Sequence, residues 1–530
     1  MPTTPTSGPA TVTPATPAAP AAPAAVVDRF TGPRNAANEG IHTIFTPSDE
    51  AKKAELALLD TVIAAKKADP RTFPAGQNPY RIEYAIYNMT DRDIIGRLIE
   101  ASRAGVQVQV LIDAGQISPE KPFNTVVKDL VAGGFSHAES QKGLSADDKK
   151  NKQIIEIEMP GSGLFHFKSR YFTWPDPRSG QQQESLLTGS HNPQNSAHKN
   201  DESLHRIEDP ALIKKYTDAF HALRDEKPIE NVWDANAAAN VLFTSANTRG
   251  PKPVDKIMEL VDNEKELIFL TVFSLRNLEA SDGARLVDKL VAAKNRGVPV
   301  VVVTDRKQSD GVREDGTPAA QDMDQTDDLL ERAGIPVYEY TNPVGPRNAM
   351  HLKSALFGLS DIKVVTDTGN WTQATMGTGG TSRGKNAESL LFVDGKYDGN
   401  RTGQTYLAEF IRVMRKYDGQ NAGTNKPNVE ALLNRLQALP AWPKVKVDLA
   451  DVAAAHAGRE VFLTGDHPAL RGSNGEPGLR LDTDPTNAGL RPRPSVELPL
   501  ATRLEYRVAT RDAQGRVETG PTPSMLVIEP

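Results

Sequence analysis

Hydrophobic and polar positions along the chain fall into two copies of one pattern. Residues 81–87 (RIEYAIY) are rich in β-branched and aromatic side chains and predict a strand. A helix follows, with Thr90 as its expected N-cap and Ile94, Ile95, Leu98 and Ile99 as an apolar stripe at helical spacing. Gly105 stands where a left-handed residue ends a helix, and VQVQVLID then runs as a second strand to Asp113. The same succession returns downstream. Residues 267–273 (LIFLTVF) predict a strand, and 284–296 a helix with Leu286, Val287, Leu290 and Val291 on one face. Gly297 closes it, and VPVVVVTD ends at Asp305. Gly to Asp is eight residues in both copies, and the openings IFTPS (around Phe45) and LFTSA (around Phe243) also correspond. A duplication with a period of about 190 residues accounts for these matches.

Strands alternating with helices, one of them a near-continuous apolar run, imply an α/β fold with parallel or mixed sheets covered on both faces. The expected core spans 39–425, as halves 39–230 and 231–425. Residues 1–38 read as a disordered Pro/Ala/Thr-rich tail, with almost nothing to bury. A linker or helical connection (426–457) leads to 458–530, whose short strands between Gly, Pro, Asn and Asp turns predict a small all-β sandwich.

Composition narrows the classes. Apolar content of 38%, charged content of 25% and a net charge of −6 are those of a soluble globular chain without a global basic field. With no cysteine, disulfides, thiolate metal sites and cysteine nucleophiles are all excluded. No run approaches the roughly 20 apolar residues that span a bilayer. The first 30 residues lack the basic and apolar regions of a secretory signal, so the expected location is cytoplasmic by default.

Candidate chemistry lies in two related strings. LFHFKSRYF is followed by LLTGSHNPQNSAHKNDESL, and MHLKSALFG by VVTDTGNWTQATMGTGGTSRGKNAESLLF. Each holds His-x-Lys, a small-residue turn with Asn, and Asn-x-Glu, in that order. His166 to Glu202 is 36 residues and His351 to Glu388 is 37. On an extended chain His-x-Lys points both side chains to one face, leaving Phe165, Phe167 and Leu352 on the other. Phosphodiester cleavage by a covalent route needs a nucleophile, an acid for the leaving oxygen, and positive charge on the phosphoryl oxygens. His166 and His351 suit the first two roles, and Lys168 and Lys353 the third, with no metal or cofactor required. Ser190, Asn192, Asn200, Thr368, Asn370 and Asn386 are candidate hydrogen-bonding groups for the substrate. Glu202 and Glu388 are candidates to take the proton of a histidine's back nitrogen and fix its tautomer.

These strings resemble the phospholipase D superfamily, whose repeat is H-x-K-x4-D followed by G-S-x-N and N-x-E. The resemblance covers roughly 39–425. Gly189-Ser190-His191-Asn192 matches one element, and Asn370-Trp371-Thr372 is similar to the N-W-T of the second copy. It implies that one motif histidine becomes phosphorylated while the other protonates the leaving group. We assign His166 as nucleophile and His351 as acid. Two departures stand out. The motif aspartates are replaced by Thr173 and Gly358, as they are lost in the branch resembling tyrosyl-DNA phosphodiesterases, and the second Gly-Ser is Asp367-Thr368. These changes bear more on lipase activity than on phosphodiester chemistry. The expectation is a metal-independent phosphodiesterase acting on phospholipid head groups, with transient contact to a membrane surface. A nuclease or nucleic-acid-end phosphodiesterase is the alternative, and an inactive scaffold working through its β-sandwich is the alternative of another class.

Other features carry less. His191, His198 and His205 are read as loop histidines, since a seven-residue spacing is not a usual ligand pattern. The acidic stretch from Asp322 through Asp324, Asp327 and Asp328 is read as the exposed start of a helix. GTGGTSRGK from Gly377 is read as a mobile loop at the site mouth. Residues 458–530 resemble a starch-binding family of β-sandwich modules in their V-x-L-x-G-x-x-P-x-L opening. No tryptophan follows Trp442, and Phe462 and Tyr506 are the aromatic residues left, so a sugar-stacking surface and polysaccharide binding are not expected.

Overall fold

The computed structural model describes residues 40–74, 76–117, 124–161, 163–194, 197–309, 326–340, 349–377, 384–421, 426–448, 459–465, 470, 476–481, 495–520 and 524–527. The N-terminal tail, Asp322 and Asp324, most of the loop after Gly377, and residues 449–458 before the C-terminal strands lie outside them. Backbone contacts group the described residues up to Val445, with Pro499–Ala501, into one unit, and the remaining C-terminal residues into a second. No described helix is long and apolar enough to cross a membrane.

The larger unit is a mixed α/β fold built from two sheets. In chain order the first holds β1 (Ile41–Phe45), β2 (Arg81–Ile86), β3 (Gln107–Asp113), β4 (His137–Ala138), β5 (Ile154–Ile157), β6 (Lys168–Pro175), β7 (Gln182–Gly189) and β8 (Ser203–Ile207). The second holds β9 (Ala239–Thr244), β10 (Ile268–Val272), β11 (Val300–Asp305), β12 (Val337–Tyr340), β13 (Lys353–Phe357), β14 (Lys363–Asp367) and β15 (Glu388–Val393). The first is ordered β1-β8-β7-β6-β2-β3-β5-β4, and the second, read from its far edge, β9-β15-β14-β13-β10-β11-β12. These are one order, with β4 added at an edge. In each sheet the βαβ strands pair in parallel (β2 with β3, β10 with β11), and the strand that follows the His-x-Lys lies antiparallel beside the first of them. The duplication read from the sequence is thus a duplication of the fold.

Local physics explains the elements. Residues of β10 and β11 are all buried, as parallel strands covered on both faces require. The helix Arg92–Arg103 buries Ile94, Ile95, Leu98 and Ala101 on one face. Its cap is Asp91 rather than Thr90: the Asp91 carboxylate accepts from the amides of Asp93 (2.9 Å) and Ile94 (3.4 Å). The Thr90 amide instead donates to Pro193 O at 3.0 Å, tying the end of the strand to the turn after Asn192. Gly105 and Gly297 adopt φ of 92° and 91°, as their C′ positions demand.

Among the described residues of the two halves, apolar side chains form three cores. One lies within each half, and the third draws Phe165, Phe167, Leu186 and Phe220 from the first half and Val241, Phe243, Ala387 and Leu391 from the second. Phe165 stacks on Phe167, and Phe167 on Phe243, with ring centroids 6.0 and 5.8 Å apart. Each fully buried side chain of this size contributes about 1.5–3 kcal/mol. The shared core therefore holds the first His-x-Lys segment at the seam between the halves.

In the C-terminal unit, strands Glu460–Thr464, Leu479–Leu481, Arg503–Arg511, Val517–Thr519 and Ser524–Val527 pair antiparallel. Phe462 is fully buried and Tyr506 half-buried. Neither is an exposed platform for stacking a sugar ring.

Candidate active site

His166 and His351 each stand just before a strand, in extended segments that pair with the opposite half. The amide of His166 donates to Ala387 O at 3.0 Å, and that of His351 to Asp201 O at 2.9 Å. Ala387 and Asp201 are the middle residues of the two Asn-x-Glu segments. Each Asn-x-Glu therefore lies beside the His-x-Lys of the other half, and the glutamates are exchanged. Glu388 Oε2 is 2.6 Å from Nδ1 of His166, and Glu202 Oε2 is 2.7 Å from Nδ1 of His351. Both glutamates engage Nδ1, which leaves Nε2 of each ring for chemistry.

The lysines lie under the rings. Lys168 Nζ is 3.0 Å from His166 Nε2 and donates to His166 O at 2.9 Å, while Lys353 Nζ donates to His351 O at 2.9 Å. Both lysines are buried. An aromatic residue flanks each dyad: Tyr87 and Phe273 meet His166 and His351 edge to face at 4.6 Å. Their rings also take the cations of Lys168 (5.4 Å) and Lys353 (5.0 Å). The Tyr87 and Phe273 amides donate to Phe167 O (2.8 Å) and Leu352 O (2.7 Å), which locks each ring beside its dyad.

The other residues singled out from sequence divide into two groups. Asn192 and Asn370 carry side-chain oxygens with no hydrogen-bond partner, in equivalent places on the two turns. Ser190 and Thr368 turn inward instead: their hydroxyls accept from the amides of Ser203 and Ser389, each at 2.9 Å. Asn200 and Asn386 are likewise occupied. Asn200 donates to Glu202 Oε1 (2.9 Å) and accepts from the Ala349 amide (3.0 Å). Asn386 donates to Glu388 Oε1 (3.4 Å) and accepts from the Leu164 amide (3.0 Å). These four, expected to reach substrate, make hydrogen bonds to the turns and the exchanged glutamates.

The electrostatics of the two pairs differ. Burial pushes Glu388 up to about 7, against the pull of Lys168 and Lys353. Burial would also raise Glu202, but the His351 imidazole and Lys353 outweigh it and hold the carboxyl at about 2. His166 is driven well below the ordinary histidine value by burial and by the cations Lys168 and Lys353. His351 is lowered by burial too, with Glu202 pulling the other way. Burial depresses Lys168 to about 7 and Lys353 to about 8. Each imidazole also feels the lysine of the other half, so the dyads form one electrostatic unit.

Several supporting residues were not foreseen. Asp113 and Asp305, the ends of the two matching strands, sit next to the residues preceding each histidine. Asp113 Oδ2 accepts from the Phe165 amide at 2.7 Å, and Asp305 bonds the Met350 amide. Their shared eight-residue spacing from a glycine was the available signal. Arg170, fully buried, donates to Lys168 O (3.0 Å) and His191 O (2.8 Å) and lies 3.5 Å from Glu55. Thr173 lies in the distal part of β6, and Gly358 just past the end of β13. Five residues past the lysine, they are about 16 Å along an extended chain from it. His205 is a core residue between Thr43 (3.1 Å) and Tyr406 (3.2 Å), and His191 is buried behind the turn. Among the described residues, no three His, Cys, Asp or Glu side chains come together as a metal-sized cluster.

Comparison with known proteins gives one family. Residues 77–224 and 257–414 each match the family model described as the phospholipase D-like domain of cardiolipin synthase. No curated protein matches the chain. Similar solved structures include polyphosphate kinase from Porphyromonas gingivalis, at 13% identity over 74% of this chain and 54% of that one, with a TM-score of 0.42. This chain thus spans about half the length of that kinase. Yeast tyrosyl-DNA phosphodiesterase is 10% identical over 68% of this chain and 90% of that one, with a TM-score of 0.40. The phospholipase D family member Nuc from Salmonella typhimurium is 18% identical over 32% and 91%, with a TM-score of 0.23. With two copies of one family model covering more than half of the chain, each supplying a His-x-Lys to the seam, the protein belongs to the phospholipase D superfamily of enzymes.

Proposed function

We propose that this enzyme hydrolyses phosphodiesters through a phosphohistidine on His166, with His351 as general acid and then general base, and with no metal. The observation that carries the reading is the exchange of glutamates, which holds both rings with Nδ1 engaged and Nε2 available. The rings are not equivalent. Lys168 donates to Nε2 of His166, which marks that nitrogen as a lone-pair acceptor. His166 is also the more strongly depressed of the two. His351 lies against a firmly ionised Glu202, which favours its imidazolium.

In the first step the Nε2 lone pair of His166 attacks phosphorus. The P–O bond to the leaving group breaks, and the departing oxygen takes the proton from His351 Nε2. Lys168 and Lys353 move onto the equatorial oxygens, with the side-chain N–H groups of Asn192 and Asn370 as further donors. In the second step neutral His351 takes a proton from water, the water oxygen attacks phosphorus, and the P–N bond breaks. The electron pair returns to His166 Nε2, leaving a phosphomonoester and an alcohol.

For substrate we place phospholipid head groups first, because the matching family model is described by an enzyme named for a phospholipid. EDTA-resistant hydrolysis of bis-p-nitrophenyl phosphate, lost in His166→Ala and His351→Ala, tests the chemistry. Absence of turnover by the folded wild type would leave a binding scaffold. Phosphatidylcholine, cardiolipin and single-stranded DNA offered side by side test the class. Turnover of DNA alone overturns the lipid assignment.

A further inference from the structure

The two Asn-x-Glu segments make the same backbone contacts, but they are anchored differently. In the second half the middle residue is Ala387, whose amide donates to Leu164 O at 2.9 Å and whose methyl lies in the shared apolar core. In the first half the middle residue is Asp201. Its amide donates to Ala349 O at 3.1 Å, and its carbonyl accepts from the His351 amide at 2.9 Å. Its carboxylate is fully buried and takes three donors from the C-terminal end of the helix Arg401–Lys416 and the residue after it. Oδ1 accepts from Arg412 Nη2 (2.8 Å) and Lys416 Nζ (2.9 Å), and Oδ2 from Lys416 Nζ (3.1 Å) and Tyr417 Oη (2.6 Å). Arg412 is itself held by Glu409, at 2.6 and 2.7 Å.

Asp201 stands between the two side chains that hold His351. Asn200 fixes the Ala349 amide, and Glu202 fixes the imidazole. A strand alternates its side chains, so the face of Asn200 and Glu202 looks into the site while Asp201 looks away, toward the helix. A buried carboxylate with two cations and a phenol upon it is costly to displace, since any movement leaves an unpaired charge. That rigidity passes directly to His351 through the backbone bridge. The first histidine has no such device, because its bridging residue is an alanine.

We propose that Asp201, clamped by Arg412, Lys416 and Tyr417, is a positioning residue that aims His351 at the leaving-group oxygen. The proposal rests on the role of His351 given above. Its consequence is selective. Protonation matters most when the leaving oxygen is basic and least when it departs readily as an anion. In the first step a loosened His351 therefore costs rate on a poor leaving group and little on a good one, whereas general loss of folded enzyme costs both equally.

The test compares bis-p-nitrophenyl phosphate, with a good leaving group, and methyl phenyl phosphate, with poor ones. The full chain is followed in single turnovers, with enzyme in excess and first release of p-nitrophenol or phenol as the readout, as wild type, Asp201→Asn, Tyr417→Phe and His351→Ala. For Asp201→Asn we expect the first-step rate to fall about 10- to 100-fold on the phenyl ester and under about 3-fold on the nitrophenyl ester. Tyr417→Phe, which removes one hydroxyl and keeps the ring, follows in the same direction by about 3- to 10-fold. Its mildness keeps the test valid if Asp201→Asn fails to fold. Equal losses on both substrates, or none in either variant, overturn the positioning role while leaving the proposed function intact if His351→Ala still discriminates. If first-step release in His351→Ala shows no leaving-group dependence, the acid assignment falls and the positioning role falls with it.

Discussion

Glu388 and His166 lie 222 residues apart, on opposite halves of the duplicated fold, and their side chains meet at 2.6 Å. Glu202 and His351 repeat the exchange in the other direction. Neither half therefore holds a complete histidine pair by itself. The first expected consequence is that a substitution in the second half disables the first-half histidine. Glu388→Gln is expected to slow phosphorylation of His166 about 10- to 100-fold in single-turnover quench experiments, with substrate affinity changed far less. An unchanged phosphorylation rate would contradict the exchange.

A second expectation concerns pH. His166 must be neutral to attack and His351 protonated to donate. Both are lowered from 6.5, His166 much further, so the window in which both conditions hold lies below 6.5. The kcat/KM profile should therefore peak on the acid side of neutrality. It should fall as His351 loses its proton and fall more steeply near about 7–8, where Lys168 and Lys353 deprotonate. A profile that climbs through pH 7 to a maximum on the alkaline side contradicts the assignment.

A third concerns Asp367, which stands where the equivalent turn has Gly189. A Cβ on Gly189 would meet Ser203 O at 2.3 Å. Asp367 adopts φ of 107° and is buried, accepting from Thr188 Oγ1 (2.7 Å) and Tyr216 Oη (2.5 Å). Burial raises its carboxyl from 3.8 to about 6. The folded state therefore binds a proton the unfolded chain has released. This stabilisation is complete below the unfolded value of 3.8 and is lost as pH rises through about 6. Asp367→Asn should flatten that dependence and be more stable than the wild type near pH 8 by about 1–3 kcal/mol in denaturant titrations. Equal stability at both ends of the range would contradict the shift.

A fourth concerns Arg170 and Glu55, both fully buried behind the first dyad. Arg170→Leu leaves the Glu55 carboxylate without its cation and should destabilise the fold by about 3–5 kcal/mol. Adding Glu55→Leu should recover much of that loss, which urea titration of the single and double variants measures. If the double variant is as unstable as the single, the cost lies in packing rather than charge.

Much of the fold was legible because periodicity and spacing occur twice. The strands ending at Asp113 and Asp305, the helix between each pair of parallel strands, and the positions of both dyads are where the pattern put them. The Thr90 cap was misjudged because two capping residues stand side by side, and the Asp91 carboxylate reaches the free amides while Thr90 bonds toward Pro193. The exchange of glutamates was not legible: sequence order puts each Asn-x-Glu after its own His-x-Lys, and pairing across the seam reverses that. Tyr87 and Phe273 were findable, since each directly follows the first strand of its copy. Arg170 and Asp201 were not, since Ala355 and Ala387 fill the equivalent places and repetition offers no hint. The hydroxyls of Ser190 and Thr368 suit a phosphate, and their acceptance of the Ser203 and Ser389 amides, which depends on the folded turns, was not legible in the sequence.

The central claim, a covalent intermediate on His166 with His351 serving the leaving group and the water, is most directly tested by trapping that intermediate. His351→Ala is mixed with bis-p-nitrophenyl phosphate, quenched under conditions that preserve phosphohistidine, and its peptides are mapped by mass. The good leaving group lets the first step proceed, while loss of the base stalls the second, so a p-nitrophenyl phosphate adduct should accumulate on the peptide containing His166. An adduct on any other residue, or continued turnover with no adduct in either the variant or the wild type, would contradict the account.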